Sequence, residues 1–343
     1  MRFGLFHTVQ WRQGESQRDR YRQAIAQAVH AEAIGFDTVW LTEHHFAGHA
    51  LTGDTFALLA YLAAKTERIR LGTAVAVLPY HNPVKLAESA AILDHLSDGR
   101  FDFGIGRGYQ WMEYHALGID MAEADERFAE AADVIAKAFA TDAPITHHGK
   151  YWTFEDMHLQ PRPIQQPHPP IWLATTSERG FRRCVDNDWG VMIPQGRSLA
   201  QVEEFIDLYR DILAEAGRPY DPGKVRLARA LYCAEDDATA WAEAEVAYRH
   251  FLQGGRRLAA PPDATSGHNN PFTTDSLRQA AVFGGPDECT AYLRKLNDIG
   301  IENVIFFVHM GELPHDKIIE SMDRFAQDVM PNLITDPVLT EPA

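Results

Sequence analysis

The segment LTEHHF, residues 41–46, places a carboxylate, two histidines and an aromatic ring in four consecutive positions. An imidazole titrates near neutral pH, so a histidine here can act as a general acid or base. Adjacent residues of a strand point to opposite faces, so His44 and His45 cannot both bind one metal ion unless the backbone is irregular. The segment therefore favours acid–base chemistry over a metal site. One of the two histidines is then a structural residue at a strand end.

A second group of residues has the chemistry of an anion site. Arg107 lies between glycines in GIGRG, residues 104–108, where the backbone can approach a ligand closely and the guanidinium can hold a phosphate by two hydrogen bonds. ATTSERG, residues 174–180, brings three hydroxyl groups to a strand-to-helix junction, and helix N-termini bind anions. An alternative stays open, in which Arg107 pairs with a carboxylate and the hydroxyls only cap the helix.

Eight short apolar runs alternate with amphipathic stretches and predict the elements that position these residues. The predicted strands are 2–7, 37–42, 69–78, 100–106, 170–175, 189–194, 225–234 and 303–308. The predicted helices are about 16–34, 54–66, 83–97, 123–140, 198–216, 236–253, 286–299 and 313–329. This alternation indicates an α/β fold, a (β/α)8 TIM barrel, with a doubly wound sheet as the alternative. In the barrel we expect residues 174–180 to lie across from Arg107.

Two segments exceed a minimal barrel. Residues 108–168, after the fourth strand, are too long for one crossover and form a predicted insertion. Residues 254–274 have turn and loop chemistry with little periodicity, and a long loop in a compact domain is usually a functional lid or a disordered segment. Within this organisation we expect residues 1–343 to form one domain.

The bulk composition limits the partners. A net charge of −16 argues against nucleic acid, since phosphate binding needs clustered Lys and Arg. Three scattered cysteines fit a reducing compartment, and no apolar run approaches the ~20 residues that span a bilayer. With no basic and apolar leader at the N-terminus, we expect a cytoplasmic protein that does not contact membranes.

The motifs together resemble the bacterial luciferase family of flavin-dependent monooxygenases, most closely the luciferase α subunit. The similar stretches follow one order along essentially the whole chain. They are MRFGLF at the start, GFDTVWLTEHHF (35–46), LGTAVAVLP to NPV (71–84), LDHLSDGRFDFGIGRG (93–108), LGIDM (117–121), GGPDEC (284–289), GIENVIFF (300–307) and ESMDRFAQDVMPNL (320–333). EHHF together with GRFDFGIGRG is the specific combination.

The resemblance implies a luciferase-like TIM barrel that binds reduced FMN, supplied by a separate NAD(P)H-dependent flavin reductase. It implies that O2 adds at the flavin C4a carbon, and that the resulting hydroperoxide delivers one oxygen atom to a small apolar organic substrate, such as an aldehyde or ketone. It also implies a homodimer and a mobile loop near the active site, which here is the segment 254–274. Two alternatives remain: a reductase or dehydrogenase that uses the deazaflavin F420, and a flavin-binding protein without turnover.

The resemblance also assigns roles to residues of this chain. His44 matches the catalytic histidine. Around the flavin ring it assigns Glu43 near the ring, a cis peptide between Ala74 and Val75 beneath it, and Gly106 beside it. The residues that it assigns to binding the flavin's phosphate are Arg107, Arg127, Thr175, Thr176 and Ser177. From the strand ends and the segment after Gly108 we expect the substrate pocket to include Phe6, His7, Phe46, Trp111 and Met192.

Two departures from the luciferase pattern bear on the activity. Luciferase α subunits have a cysteine where this chain has Gly106, so we expect more space near the reacting carbon. The 254–274 segment shares little with the loop that shields the light-emitting intermediate in luciferases, so we expect no light emission.

Overall fold

The computed structural model describes residues 1–261, 273–311 and 313–334. Its strands are β1 Arg2–His7, β2 Thr38–Leu41, β3 Arg70–Thr73, β4 Ala76–Val77, β5 Phe101–Gly106, β6 Ile145–His148, β7 Thr153–Met157, β8 Ile171–Ala174, β9 Gly190–Ile193, β10 Val225–Cys233, β11 Ala281–Gly284 and β12 Asn303–Phe307.

The α-helices lie between these strands. They are α1 Gln17–Ala33, α2 Thr55–Ala63, α3 Pro83–Leu96, α4 Trp111–Ala116, α5 Ala124–Ala140, α6 Glu178–Asn187, α7 Leu199–Glu215, α8 Asp237–Leu258, α9 Thr274–Arg278, α10 Pro286–Ile299 and α11 His315–Arg324. A π-helical turn, Phe325–Val329, continues α11. Among the described helices, none has the length and apolar character needed to cross a bilayer.

The strands close into a parallel barrel. The neighbours follow the order β1, β2, β3, β5, β8, β9, β10 and β12, and β12 pairs with β1. β4 continues the line of β3 beside β5, and β11 pairs with the end of β10. The predicted TIM barrel is confirmed. The doubly wound alternative is wrong, because an open sheet would leave β1 and β12 unpaired.

Several local predictions differ from the structure. The single strand predicted over 69–78 is divided into β3 and β4 by the peptide between Ala74 and Val75, which is cis. The insertion after the fourth barrel strand holds α4, α5 and the antiparallel hairpin β6–β7. That hairpin has mostly polar, solvent-facing residues, so it lacked the apolar run that predicts a strand.

The predicted loop over 254–274 begins later than expected. Helix α8 continues to Leu258, through two glycines that the sequence alone made improbable in a helix. Residues 262–272 of that segment lie outside the described residues. Thr274–Arg278 form the short helix α9.

Large rings fill the barrel interior and need glycines opposite them. A Cβ on Gly72 would lie 2.3 Å from Trp40 Cε3, and one on Gly190 would lie 2.3 Å from Trp172 Cε3. The Arg226 guanidinium stacks 4.1 Å from the Trp172 ring centroid and 5.0 Å from that of Trp40. This packed interior holds the barrel strands in place. Chemistry is expected at the carboxyl ends of those strands, directly above it.

Replacing Gly104 tests this packing. A Cβ at Gly104 would lie 1.8 Å from the Thr73 backbone oxygen, and backbone cannot move as a flexible side chain can. We expect Gly104→Ala to lower the free energy of unfolding by about 2–3 kcal/mol. Urea denaturation followed by circular dichroism measures this. Glu204→Ala, on an exposed position of α7, is the control and should change it by less than about 0.5 kcal/mol. Equal midpoints for both variants would contradict the assignment.

Candidate active site

His44 lies just beyond β2 and is held by a carboxylate from the insertion. Its Nδ1–H donates to Glu113 Oε1 at 3.0 Å, and the side chain of Glu113 is 1% exposed. Among the described residues nothing hydrogen bonds to His44 Nε2. An ionised carboxylate at Nδ1 fixes the tautomer with its proton on Nδ1, and Nε2 is then available as an acceptor or base. The arrangement can therefore accept or return a proton at one defined atom.

Glu113 is a site residue that the sequence analysis missed. It lies on the six-residue helix α4, and its carboxylate also accepts hydrogen bonds from the His45 backbone N–H at 2.7 Å and the Tyr80 hydroxyl at 3.1 Å. A helix this short has no periodicity that would mark its buried face. The order YQWMEY, a glutamate among aromatics beside a phosphate-type loop, is the one local signal that could have pointed to it.

Glu43 is directed to a different set of partners from those of His44. Its Oε1 accepts from His45 Nε2 at 2.9 Å and from His81 Nε2 at 2.7 Å, and its Oε2 accepts from the Val77 N–H at 2.8 Å. Burial by itself would raise the pKa of Glu43, but these hydrogen bonds outweigh it and hold that pKa below its ordinary value. Burial likewise disfavours protonated His45, and the Glu43 contact overcomes this, so the pKa of His45 is raised.

The two histidines of EHHF thus have separate carboxylate partners. His44 is paired with Glu113, and His45 with Glu43. The partner of His45 is itself anchored to β4, so His45 ties the end of β2 to the strand that follows the cis peptide. Within the described parts of the chain, no group of three or more His, Cys, Asp or Glu residues is arranged to hold a metal ion.

The region around the cis peptide corrects one expectation. The cis bond lies between Ala74 and Val75, as the resemblance implied. Gly106, however, does not leave extra space. A Cβ there would lie 2.5 Å from Val75 Cγ2, so the Val75 side chain already occupies the volume that a larger residue at 106 would take. The expectation of a wider pocket at Gly106 is wrong.

The expected anion residues lie side by side and not across the barrel. β5 and β8 are neighbours, and their last registered pair is Ile105 with Leu173. Arg107 and Thr175 each follow two residues later, at adjacent strand ends. Ser177 Oγ accepts from the Gly180 N–H at 3.2 Å and so caps α6, while the Thr175 and Ser177 hydroxyls are 3.2 Å apart. The hydroxyls cap the helix and also surround its N-terminus, so the two interpretations of the sequence are compatible.

The two expected phosphate arginines are partly engaged by exposed acids. Arg107 Nη1 is 3.3 Å from Asp125 Oδ1, and both side chains are largely exposed, so the pair contributes little and can exchange for a stronger anion. Arg127 contacts Glu123 at 2.9 Å and stacks on the Tyr151 ring. Both guanidinium groups act on Tyr114. Burial raises the pKa of that phenol, and the two cations oppose the rise.

Two of the five expected pocket residues face the barrel interior. Phe6 contacts the ring of Phe307 across the β1–β12 pairing, and Met192 shares the face of β9 with Gly190, which packs on Trp172. Each is less than 10% exposed. Both are therefore beneath the mouth of the barrel, where an apolar wall for a ligand is possible.

His7 is not at the pocket mouth. Its ring lies on the same face of β1 as Phe3, which packs against Phe325 in the helical layer. His7 Nε2–H donates to Gln27 Oε1 of α1 at 2.8 Å, and burial lowers the pKa of His7 to about 4. The assignment of His7 to the substrate pocket is wrong, because strand alternation turns it outward to α1.

Phe46 and Trp111 lie nearer the surface. Phe46 is 63% exposed, with a positive φ of 59°, and its ring centroid is 5.3 Å from that of His45. Trp111 is partly buried and stacks on His115 within α4 at 4.8 Å. Their placement in a substrate pocket stays a prediction. His49 and Tyr109, which the sequence analysis did not single out, lie closer to the His44 ring, at 5.8 and 6.0 Å between centroids.

Known proteins resemble this chain along most of its length. Residues 1–303 match the family model described as luciferase-like monooxygenase. The chain is 30% identical to the "flavin-dependent trigonelline monooxygenase, oxygenase component" of Acinetobacter baylyi, covering 96% of this chain and 95% of that protein. It is 28% identical to limonene 1,2-monooxygenase of Rhodococcus erythropolis, covering 96% and 86%. The structure of monooxygenase RslO1 from Streptomyces bottropensis superposes with a TM-score of 0.88 at 26% identity, covering 97% of this chain and 100% of that one.

The carboxylate partner of His45 can be tested by titration. We expect NMR to show a pKa of His45 above its ordinary 6.5, and to show His7 and His49 still neutral at pH 5, since burial lowers their pKa values to about 4 and about 3. In Glu43→Gln the pKa of His45 should fall. Glu155→Gln, which removes an exposed carboxylate near His148, is the control. An unchanged pKa of His45 in Glu43→Gln would contradict the pairing.

The same pair sets a pH dependence of stability. The lowered pKa of Glu43 contributes stability above its ordinary 4.5 that is lost as pH falls. The raised pKa of His45 contributes stability below its ordinary 6.5 that is lost as pH rises through the raised value. The destabilisation caused by Glu43→Gln should therefore be largest between these two pH values and smaller at pH 9.

Proposed function

Because this chain belongs to the luciferase-like monooxygenase family, we propose that it is an oxygenase that uses reduced FMN to insert one oxygen atom of O2 into a small organic compound with an apolar body. The second oxygen atom leaves as water, and two electrons from reduced FMN balance the reaction. His44 is the proposed catalytic residue. The observation that carries the proposal is the buried Glu113–His44 pair, which lies at the same end of the barrel as Arg107 and the hydroxyls that follow β8.

The residues present fit a flavin mononucleotide. The N-terminus of α6, the hydroxyls of Thr175, Thr176 and Ser177, and the weakly paired Arg107 together suit a phosphate. Gln110, three residues after Arg107, is 0% exposed, and both polar atoms of its side chain lack a partner among the described residues. A buried amide without partners is rare in proteins, and a polar ligand beside it would account for it. Arg127 is proposed as the outer phosphate contact.

The chain's own residues transfer protons and exclude water from the site. Reduced FMN, when bound, supplies the electrons that activate O2. His44 Nε2 is the atom proposed to hold or return a proton to the oxygen being transferred, and Glu113 keeps the ring oriented for this. Phe6 and Met192 form the apolar floor beneath. Excluding water from this region slows the loss of the activated oxygen as hydrogen peroxide before it reaches the substrate. We expect no light emission.

We propose that a separate NAD(P)H-dependent flavin reductase supplies reduced FMN to this chain. The name of the Acinetobacter baylyi relative, an oxygenase component, supports a divided system of this kind. Incubation with photoreduced FMN bypasses any particular reductase and therefore suits the experiment below.

Replacement of His44 tests the proposal. With photoreduced FMN, ¹⁸O2 and a panel of aldehydes, ketones, terpenes and aromatic acids, we expect a product heavier by one ¹⁸O atom. His44→Ala should keep FMN binding within about twofold and lower the product yield by at least about 100-fold, with hydrogen peroxide released instead. His148→Ala, exposed on the β6–β7 hairpin, is the control. An unchanged product yield in His44→Ala would contradict the catalytic role of His44.

Glu113 is a positioning residue, and its variant gives a different signature. Glu113→Gln keeps a hydrogen-bonding side chain at that position but removes the charge that fixes the His44 tautomer. We expect kcat to fall about tenfold or more with KM little changed, and the pH profile of kcat to shift. A merely structural role would lower the fraction of active protein without moving the pH profile.

We also propose that the chain forms a homodimer through a surface made by α2 and α3. Helix α2, TFALLAYLA, is apolar even on its outer side, where Tyr61 is 49% exposed. On the adjacent α3, Ile92 and Leu96 are 47% and 57% exposed and lie four residues apart on one face. Exposed apolar side chains on two adjacent helices are typical of a subunit interface, and a second copy would bury them.

Charge placed on that surface should separate the subunits. We expect sedimentation of the wild-type chain as a dimer and of Tyr61→Glu/Leu96→Lys as a folded monomer, with circular dichroism as the check of folding. Val246→Lys, which alters an equally exposed apolar residue on α8, is the matched control and should leave the dimer intact. A wild-type monomer, or a dimer in the double variant, would contradict this surface.

A further inference from the structure

A cleft of about 340 Å³ opens next to the His44 site. It lies between helix α8 and the segments that follow β1, β2 and β12, and we name it the α8 cleft. The residues that line it include Trp11, Arg12, His49, Phe251, Gly254 and Arg257. Its volume suits a ligand of one or two rings.

The described residues that line the α8 cleft have a charge opposite to that of the chain. The chain carries 48 acidic and 32 basic residues, yet none of the described residues that line this cleft is Asp or Glu. Arg12 and Arg257 both line it. A positive recess on an acidic protein selects and concentrates anionic ligands.

The walls of the α8 cleft are flat and aromatic. His49 stacks on Phe251 at 4.7 Å with an angle of 14° between the rings. Burial, with a smaller effect from His44, lowers the pKa of His49 to about 3, so its ring is neutral at physiological pH. The ring centroids of Phe251 and Phe307 are 4.1 Å apart, and the ring of Phe307 also contacts that of Phe6. Together with Trp11, these rings give the α8 cleft an aromatic wall against which a planar ligand can pack.

The wall also connects the α8 cleft to the reacting centre. The rings of His49 and His44 meet edge to face at 5.8 Å. Helix α8 comes close to His49 through two glycines, since a Cβ at Gly254 would lie 3.2 Å from His49 Nδ1 and one at Gly255 3.4 Å from Nε2. Each glycine inside a helix costs about 1 kcal/mol, and close approach to His49 is a physical reason for both.

We propose that the substrate is a planar aromatic carboxylate, bound in the α8 cleft with its ring against Trp11, His49 and Phe251 and its carboxylate at Arg257 and Arg12. This inference rests on the proposed function, of which it specifies the substrate class. The ring end then points toward His44, and the anionic end toward the outside of the barrel. The substrate has an apolar body, as expected from the sequence, but also a charged group that the sequence did not indicate.

Matched acids and amides test the inference by binding alone. The probes are 2-naphthoate and benzoate with their neutral isosteres 2-naphthamide and benzamide, measured by calorimetry and by quenching of tryptophan fluorescence. In the wild type we expect each acid to bind about tenfold or more tightly than its amide, since a hydrogen bond between two charged groups is stronger than one between neutral groups. Added salt should weaken binding of the acids and leave the amides unchanged.

Variants locate the preference. Arg257→Gln should weaken the acids about tenfold without affecting the amides, and Arg12→Gln/Arg257→Gln should abolish the preference. Arg257→Lys should restore most of it, because the charge is retained. Arg22→Gln, an exposed arginine of α1, is the charge-matched control. Equal affinity for acid and amide in the wild type, or an equal response of Arg257→Gln and Arg22→Gln, would overturn the proposal.

Oxygenation assays separate this inference from the proposed function. Tight binding of 2-naphthoate together with no ¹⁸O-labelled product from any compound of the panel would leave the α8 cleft assigned and count against the oxygenase. Labelled product from neutral compounds alone, with acids neither bound nor oxidised, would support the oxygenase and overturn the substrate class.

Discussion

Two buried carboxylates, Glu43 and Glu113, determine how the EHHF segment is used. Each is about fully removed from water, and each is satisfied by a histidine and by a backbone N–H. Burying a carboxylate is costly unless it is hydrogen bonded, so the two anions require their partners to stay in place. Glu113 thereby joins the insertion to the end of β2, and Glu43 joins the end of β2 to β4. The orientation of His44 depends on this pair of anchors.

Parallel pairing does the rest of the positioning. Since β5 and β8 are neighbours in register, Arg107 and the hydroxyls after Ala174 meet at one edge of the barrel mouth, and the insertion that separates them along the chain contacts the same edge through Asp125. The Val75 side chain fills the space against Gly106. Arg107 and the hydroxyls after Ala174 are therefore at the same end of the barrel as the His44 pair, which is the arrangement that the proposed binding of FMN requires.

The α8 cleft extends this arrangement outward. Its aromatic wall begins at His49, which touches His44, and ends at two arginines near the surface. The inner part of the cleft is apolar and its outer rim is positive. A ligand with one anionic end would therefore bind in a single orientation, with that end at the rim. Orientation of this kind places one part of a substrate beside the reacting atoms and keeps the rest away.

The sequence by itself determined the barrel fold, the family and the identity of the EHHF and GIGRG segments, because apolar periodicity and local motifs are properties of neighbouring residues. Only the tertiary structure decided that Glu113 serves His44, that His7 faces α1, that Val75 fills the space at Gly106, and that Arg107 is next to Thr175. These are contacts between residues far apart along the chain. They depend on which face of a strand is turned inward, on register and on a six-residue helix. Parallel strands that are apolar on both faces, and a helix this short, leave no periodic signal that decides them.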